Sequence, residues 1–68
     1  MQITLNNRSE NIEGKEKLTV KELLDIKNFT FKFLVVRVND KTVKPSSYAQ
    51  HTINDGDTVQ VIHLISGG

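Results

Sequence analysis

Apolar and polar residues alternate at the start of the chain. In MQITLN, Ile3 and Leu5 fall on one side of an extended backbone and Gln2 and Thr4 on the other. Asn6, Asn7 and Arg8 come next, and because asparagine tolerates left-handed geometry they predict a turn into a short second strand around Ser9 to Glu13. The period then changes. Thr19-Val20-Lys21-Glu22 has the form of a capping box, in which the Thr19 hydroxyl accepts from the Glu22 amide while the Glu22 carboxylate reaches back to the cap. Val20, Leu23 and Leu24 share one helical face, and the pattern fades by Lys27 and Asn28, so one short amphipathic helix is expected.

The run FKFLVVRV, from Phe31 to Val38, is rich in aromatic and β-branched residues and predicts a strand. Phe31, Phe33 and Val35 lie in one alternation frame, and Leu34, Val36 and Val38 in the other. A bulge or bend near Phe33 and Leu34 would reconcile them. Asn39 and Asp40 predict a tight turn into KTVKP, a short strand that Pro45 confines to an edge or ends. SSYAQH, residues 46 to 51, is expected to make one helical turn. NDGD at 54 to 57 signals a turn, and TVQVIHLI then alternates as a final strand.

The expected order is strand, strand, helix, strand, short strand, long strand. A lone amphipathic helix must bury its stripe, and the sheet is what it can cover, with Val36, Val38, Val59 and Val61 opposing it. The right-handed crossover rule places the first and last strands parallel in the centre of the sheet. The fold class is therefore α+β, a β-grasp with a mixed sheet and one main helix on one face. If Val59 and Val61 face the helix, Gln60 and Ile62 face the uncovered side, and together with Leu64 they form a candidate docking patch.

Composition narrows the function. Sixty-eight residues, 37% hydrophobic and 25% charged, make one small globular domain whose core is only just sufficient. The sequence contains no cysteine, hence no disulfide, no thiolate nucleophile and no cysteine-based metal site. A net charge of +1 with interspersed signs argues against a dedicated nucleic-acid footprint. MQITLNN lacks the basic start of a signal peptide, and no apolar run is long enough to span a membrane, so a cytoplasmic location is the default expectation. His51 and His63, twelve positions apart, do not make a metal-ligand pattern, and no metal site is expected. Asp55 and Asp57 flank Gly56 without the twelve-residue ligand pattern of a calcium loop, and read as a turn.

The sequence finishes on Gly67-Gly68, a residue type that has no side chain to pack and the most conformational entropy to lose on ordering. Taken in order, MQI with Asn6, TVKELL at 19 to 24, Val38-Asn39, Val43 with KPSSYA at 44 to 49, INDGDTVQV at 53 to 61 and the final Gly-Gly resemble the ubiquitin-like sulfur carriers. The likeness is greatest to the ThiS type, which supplies sulfur for the thiazole ring of thiamin. Lys44 and Tyr48 stand where that family often shows arginine and tryptophan, and the phenylalanine-rich FTFKF at 29 to 33 is not one of its features. The ending ISGG also resembles the small subunit of molybdopterin synthase, a related carrier. The same ending is compatible with a protein modifier joined to lysine through Gly68, and with a plain binding module whose glycines are incidental.

The resemblance implies a protein cosubstrate, not an enzyme. Residues 1–65 would form the β-grasp domain and 66–68 a flexible reactive tail, with the Gly68 carboxylate adenylated and then converted to a thiocarboxylate. It implies a ThiF-type adenylating enzyme using Mg-ATP, a persulfide sulfur donor such as a cysteine desulfurase, and a ThiG-type thiazole synthase as acceptor. The chain itself has no glycine-rich loop followed by lysine, and no stably bound cofactor is expected. With a last strand ending near Ile65, Ser66, Gly67 and Gly68 would extend roughly 10 Å into a recessed site. The missing side chains would let that channel be narrow.

Overall fold

The computed structural model describes residues 1–29 and 33–64. Strands β1 (Gln2–Leu5) and β2 (Arg8–Asn11) form the predicted hairpin, with Asn6 and Asn7 at φ of 51° and 66°. Two successive positive φ values are the mark of the type I′ turn, which matches the right-handed twist of the strands it joins. Next come β3 (Lys17–Thr19) and helix α1 (Val20–Ile26). β4 (Leu34–Val38) and β5 (Lys41–Val43) make a second hairpin through Asn39 and Asp40, at φ of 50° and 68°. A single 3₁₀ turn at Pro45–Ser47, β6 (Thr52–Asn54) and β7 (Thr58–His63) complete the order.

The main sheet runs β2-β1-β7-β4-β5, with β1 and β7 parallel and the other neighbours antiparallel. β7 is thus central, as expected, and α1 covers one face. Val36 pairs with Val61 and Val38 with Val59, and all four are buried with Val20, Leu23 and Leu24 of the helix. This is the ubiquitin-like β-grasp.

The helix is specified at both ends. The Thr19 hydroxyl accepts from the Glu22 amide at 3.1 Å, and the Thr19 amide donates to the Glu22 carboxylate at 2.8 Å, completing the capping box. That backbone donor, ahead of the Lys15 ammonium at 3.5 Å, holds the Glu22 carboxyl below its ordinary pKa. Two further first-turn donors reach outside the helix, Val20 to the His51 carbonyl and Lys21 to that of Tyr48. At the other end Asn28 takes φ of 57°, its amide donating to Asp25 while the Phe29 amide donates to Leu24. That pair of bonds is the Schellman arrangement, here with asparagine in the place glycine usually holds.

Several details differ from the sequence expectation. β3 and β6 were not anticipated; they form a separate antiparallel pair that buries Leu18 against Ile53 and brings residues 48–51 to the start of α1. β2 stops at Asn11, short of Glu13, because Gly14 at φ of 77° belongs to the connection that follows. β4 begins at Leu34, with Phe33 at a bend before it; Phe31 and Lys32 lie outside the described residues, as does Ile65. The helical turn expected over 46 to 51 is shifted forward, since Pro45 with its fixed φ opens it.

Candidate functional site

Val59 and Val61 point under α1 and are 0% and 8% exposed. A strand has a two-residue period, so Gln60 and Ile62 emerge on the uncovered face, Gln60 half-buried and Ile62 exposed. Leu64 follows in the same alternation and is exposed as well. The three residues expected to form a docking patch therefore share one face of β7 and its extension.

Register adds two residues that the sequence pattern did not place there. Val35 of β4 pairs with Ile62, and the Leu64 amide donates to the Phe33 carbonyl at 2.9 Å, so Phe33 sits across from Leu64. Phe33, Val35, Ile62 and Leu64 make two adjacent cross-strand pairs on the open face, and Phe33 at 60% is the most exposed of them. Cross-strand neighbours on one face lie about 4.5 to 5.5 Å apart, so these four form one apolar cluster, not scattered exposed residues. A signal was available. Once Val36 and Val38 are assigned to the core, Phe33 and Val35 must fall on the other face.

The strand that carries the cluster is fastened from both sides. The Asn6 side-chain carbonyl accepts from the Val61 amide at 2.8 Å, and that of Asn39 accepts from the Thr58 amide at 2.9 Å. The Asn6 and Asn39 amides in turn donate to the carbonyls of Val59 and Thr58. Both hairpin turns thus grip β7, the strand that carries Ile62 and leads into Leu64.

Ser66, Gly67 and Gly68 lie outside the described residues. Leu64, the last residue described, sits in the cluster, and Ser66 stands two positions after it in the sequence. Tyr48, one of the departures from the family pattern, packs against the core, and burial pushes its phenol pKa up. The described residues contain no group of three or more histidine, aspartate or glutamate side chains that could hold a metal ion, and no helix long and apolar enough to cross a membrane.

A five-stranded mixed sheet with α1 across one face and an apolar cluster on the other places the chain in the ubiquitin-like β-grasp class. The model of the ThiS family matches residues 2–68, and the chain belongs to the ThiS family. It is similar to the crystal structure of the thiamine biosynthesis protein ThiS from Geobacter metallireducens, at 28% identity and a TM-score of 0.90 with both chains covered in full. A solution structure of a thiamine biosynthesis protein from the same organism matches at 28% identity and a TM-score of 0.81, over 100% of this chain and 88% of that one. Among curated proteins, a thiazole synthase from Paramagnetospirillum magneticum is 32% identical over all 68 residues. The chain spans 20% of the length of that relative.

Proposed function

We propose that this protein is a sulfur carrier that is adenylated at its C-terminal glycine and converted to a thiocarboxylate, which donates sulfur for thiazole formation in thiamin biosynthesis. The observation that carries the reading is the family match, which continues through residue 68 and so includes both glycines. The thiazole destination is supported by the relative named thiazole synthase, which holds a counterpart of this whole chain within a longer polypeptide.

The chemistry follows from a terminal carboxylate, whose reference pKa of about 3.3 to 3.7 leaves it anionic at neutral pH. Positioned beside Mg-ATP by a ThiF-type adenylating enzyme, a Gly68 carboxylate oxygen attacks the α-phosphorus and expels pyrophosphate. The acyl-adenylate makes the carbonyl electrophilic. The terminal sulfur of a persulfide, supplied by a donor such as a cysteine desulfurase, displaces AMP, and a second thiol cleaves the acyl disulfide to leave the thiocarboxylate. A ThiG-type thiazole synthase then takes the sulfur, and the carrier returns with its carboxylate.

In this scheme the domain over residues 1–65 supplies recognition and residues 66–68 supply reach. Gln60, Ile62 and Leu64, joined by Phe33 and Val35, dock on the adenylating enzyme. Ser66 and Gly67 thread the carboxylate toward the nucleotide, and the lack of side chains on the glycines lets the channel close tightly around them. The carrier is a cosubstrate and binds no cofactor of its own.

Intact-mass analysis after incubation with the adenylating enzyme, Mg-ATP, a cysteine desulfurase and cysteine tests the reading. The expected result is a gain equal to the difference between sulfur and oxygen. Gain of the mass of a second protein would identify a lysine-conjugating modifier instead, and an unchanged mass with active partners would overturn the carrier assignment.

A further inference from the structure

The open face of the five-stranded sheet is almost free of charge. Among the described strand residues on it, every one is apolar or neutral except Arg37, which the alternation of β4 turns away from buried Val36 and Val38. Arg37 pairs laterally with Gln60 of β7, and Val35, two positions before it, belongs to the apolar cluster. It is placed at the margin of the proposed docking patch.

Its guanidinium is poorly satisfied. The Nε donor is shut off from solvent with no partner among the described residues, and one terminal nitrogen donates to the Asp40 carbonyl at 3.3 Å, a long bond. Asp40 meets it through the backbone and not through its carboxylate, and Arg37 makes no ion pair among the described residues. An arginine presents five donors in a planar fork suited to a carboxylate. Turning toward an incoming carboxylate gives up one long bond and releases a donor that nothing satisfies.

We propose that Arg37 is a specificity contact of the docking face and takes a carboxylate of the adenylating enzyme beside the apolar cluster. The inference rests on the carrier reading and names what that partner must present, an apolar surface with one acidic residue at its edge. Charge complementarity selects this occupant, since a cation that stands alone among the described strand residues of this face favours a partner with an acidic group there and disfavours a basic one. Covering by the apolar contact strengthens the pair by excluding water.

The test is titration of the full chain and its variants into the adenylating enzyme of the same organism, at low and high salt. Arg37→Met keeps much of the stem and removes the charge; it is expected to weaken binding about tenfold and to flatten the salt dependence, with Arg37→Glu weaker still. Arg37→Lys keeps the charge without the fork and is expected to recover part of the loss, which a merely structural role would not reproduce. Unfolding midpoints measured alongside show whether each variant is folded, and the lysine variant serves if the methionine one is not. Wild-type affinity for the methionine and glutamate variants, with binding still lost in Ile62→Asp, overturns the role of Arg37 and leaves the carrier reading standing. No complex with the wild-type chain overturns both. A loss seen only against the thiazole synthase overturns the assignment of this contact to the adenylating enzyme.

Discussion

Along β7 the two faces of the sheet alternate residue by residue. Val59 and Val61 are closed under α1 and contribute to a core shared with Leu23, Val36 and Ile53. Ile62, next in the chain to Val61, is 45% exposed and lies beside Val35, with exposed Phe33 and Leu64 following. Both faces are apolar in this stretch, yet one is covered by the chain's own helix and the other by none of the described residues. Hydrophobicity by itself therefore does not identify a core residue in so small a domain. Position relative to α1 divides residues that hold the fold from residues that stay exposed.

Removing a side chain from the covered face has the largest expected cost to the fold. Leu23 is fully buried, and Leu23→Ala is expected to destabilise the protein by about 2 to 5 kcal/mol in chemical denaturation. That is a large share of the stability such a domain has. A change below about 0.5 kcal/mol, the size usual for surface positions, would break the distinction between the faces at its stronger side.

The helix that creates the distinction has its own weaker point. Thr19→Ala removes the acceptor for the Glu22 amide and is expected to cost about 1 kcal/mol, within the range of roughly 0.5 to 2 seen for such caps. Glu22 makes the box pH-dependent. Its folded pKa is depressed, chiefly by the Thr19 backbone donor, so its contribution is fully present above the unfolded glutamate value and is lost as pH falls through the folded value. The stability difference between the wild type and Glu22→Ala should therefore be larger at neutral pH than below the carboxylate range. A difference that does not shrink on acidification would show that the carboxylate is not what ties the cap.

On the open face the expected cost to the fold is smaller still and the cost to function is large. Ile62→Asp should change stability by no more than about 0.5 kcal/mol while weakening association with the adenylating enzyme at least about tenfold, because a charge enters an apolar contact that must be desolvated. Circular dichroism and a binding titration read the two effects separately. Unfolding of this variant would mean that the open face is part of the core.

At the end of the chain the effect on stability should vanish. Deleting Gly68, or adding one alanine after it, leaves every buried residue of the described core in place, since Val61 is the last of them, and should change stability by less than about 0.5 kcal/mol. Sulfur loading should fail in both, because the carboxylate moves by one residue, about 3.5 Å, from where in-line attack on the α-phosphate needs it. Gly67→Val keeps the carboxylate but should load poorly through its bulk. Wild-type loading in all three, read by mass spectrometry, would show that the glycines are incidental.

Much of this arrangement was legible in the sequence where the determinants are local. The capping box lies within four residues, the first hairpin turn in Asn6 and Asn7, and the faces of β7 in a two-residue alternation. The pair β3 and β6 was not legible. Each strand has three residues and one apolar position, too little for a period, and Leu18 finds Ile53 only through the folded chain. Phe33 and Val35 were missed as site residues for a related reason. Their run contains two competing frames; the core assignment of Val36 and Val38 turns Phe33 and Val35 outward, and the pairing of Val36 with Val61 enforces that frame in the fold.

The grip of Asn6 and Asn39 on β7 sets a limit on sequence change at both turns. Each adopts a positive φ, where glycine is ordinarily the most comfortable substitute, and each also lends a side-chain oxygen to an amide of β7. Glycine would keep the turn and abandon the strand. The residues that meet both demands are those with a short acceptor that also tolerates the left-handed region, asparagine foremost and aspartate after it. Tolerance at positions 6 and 39 is therefore narrower than at ordinary turn positions, and the glycines that end the chain and the asparagines that turn it are not interchangeable.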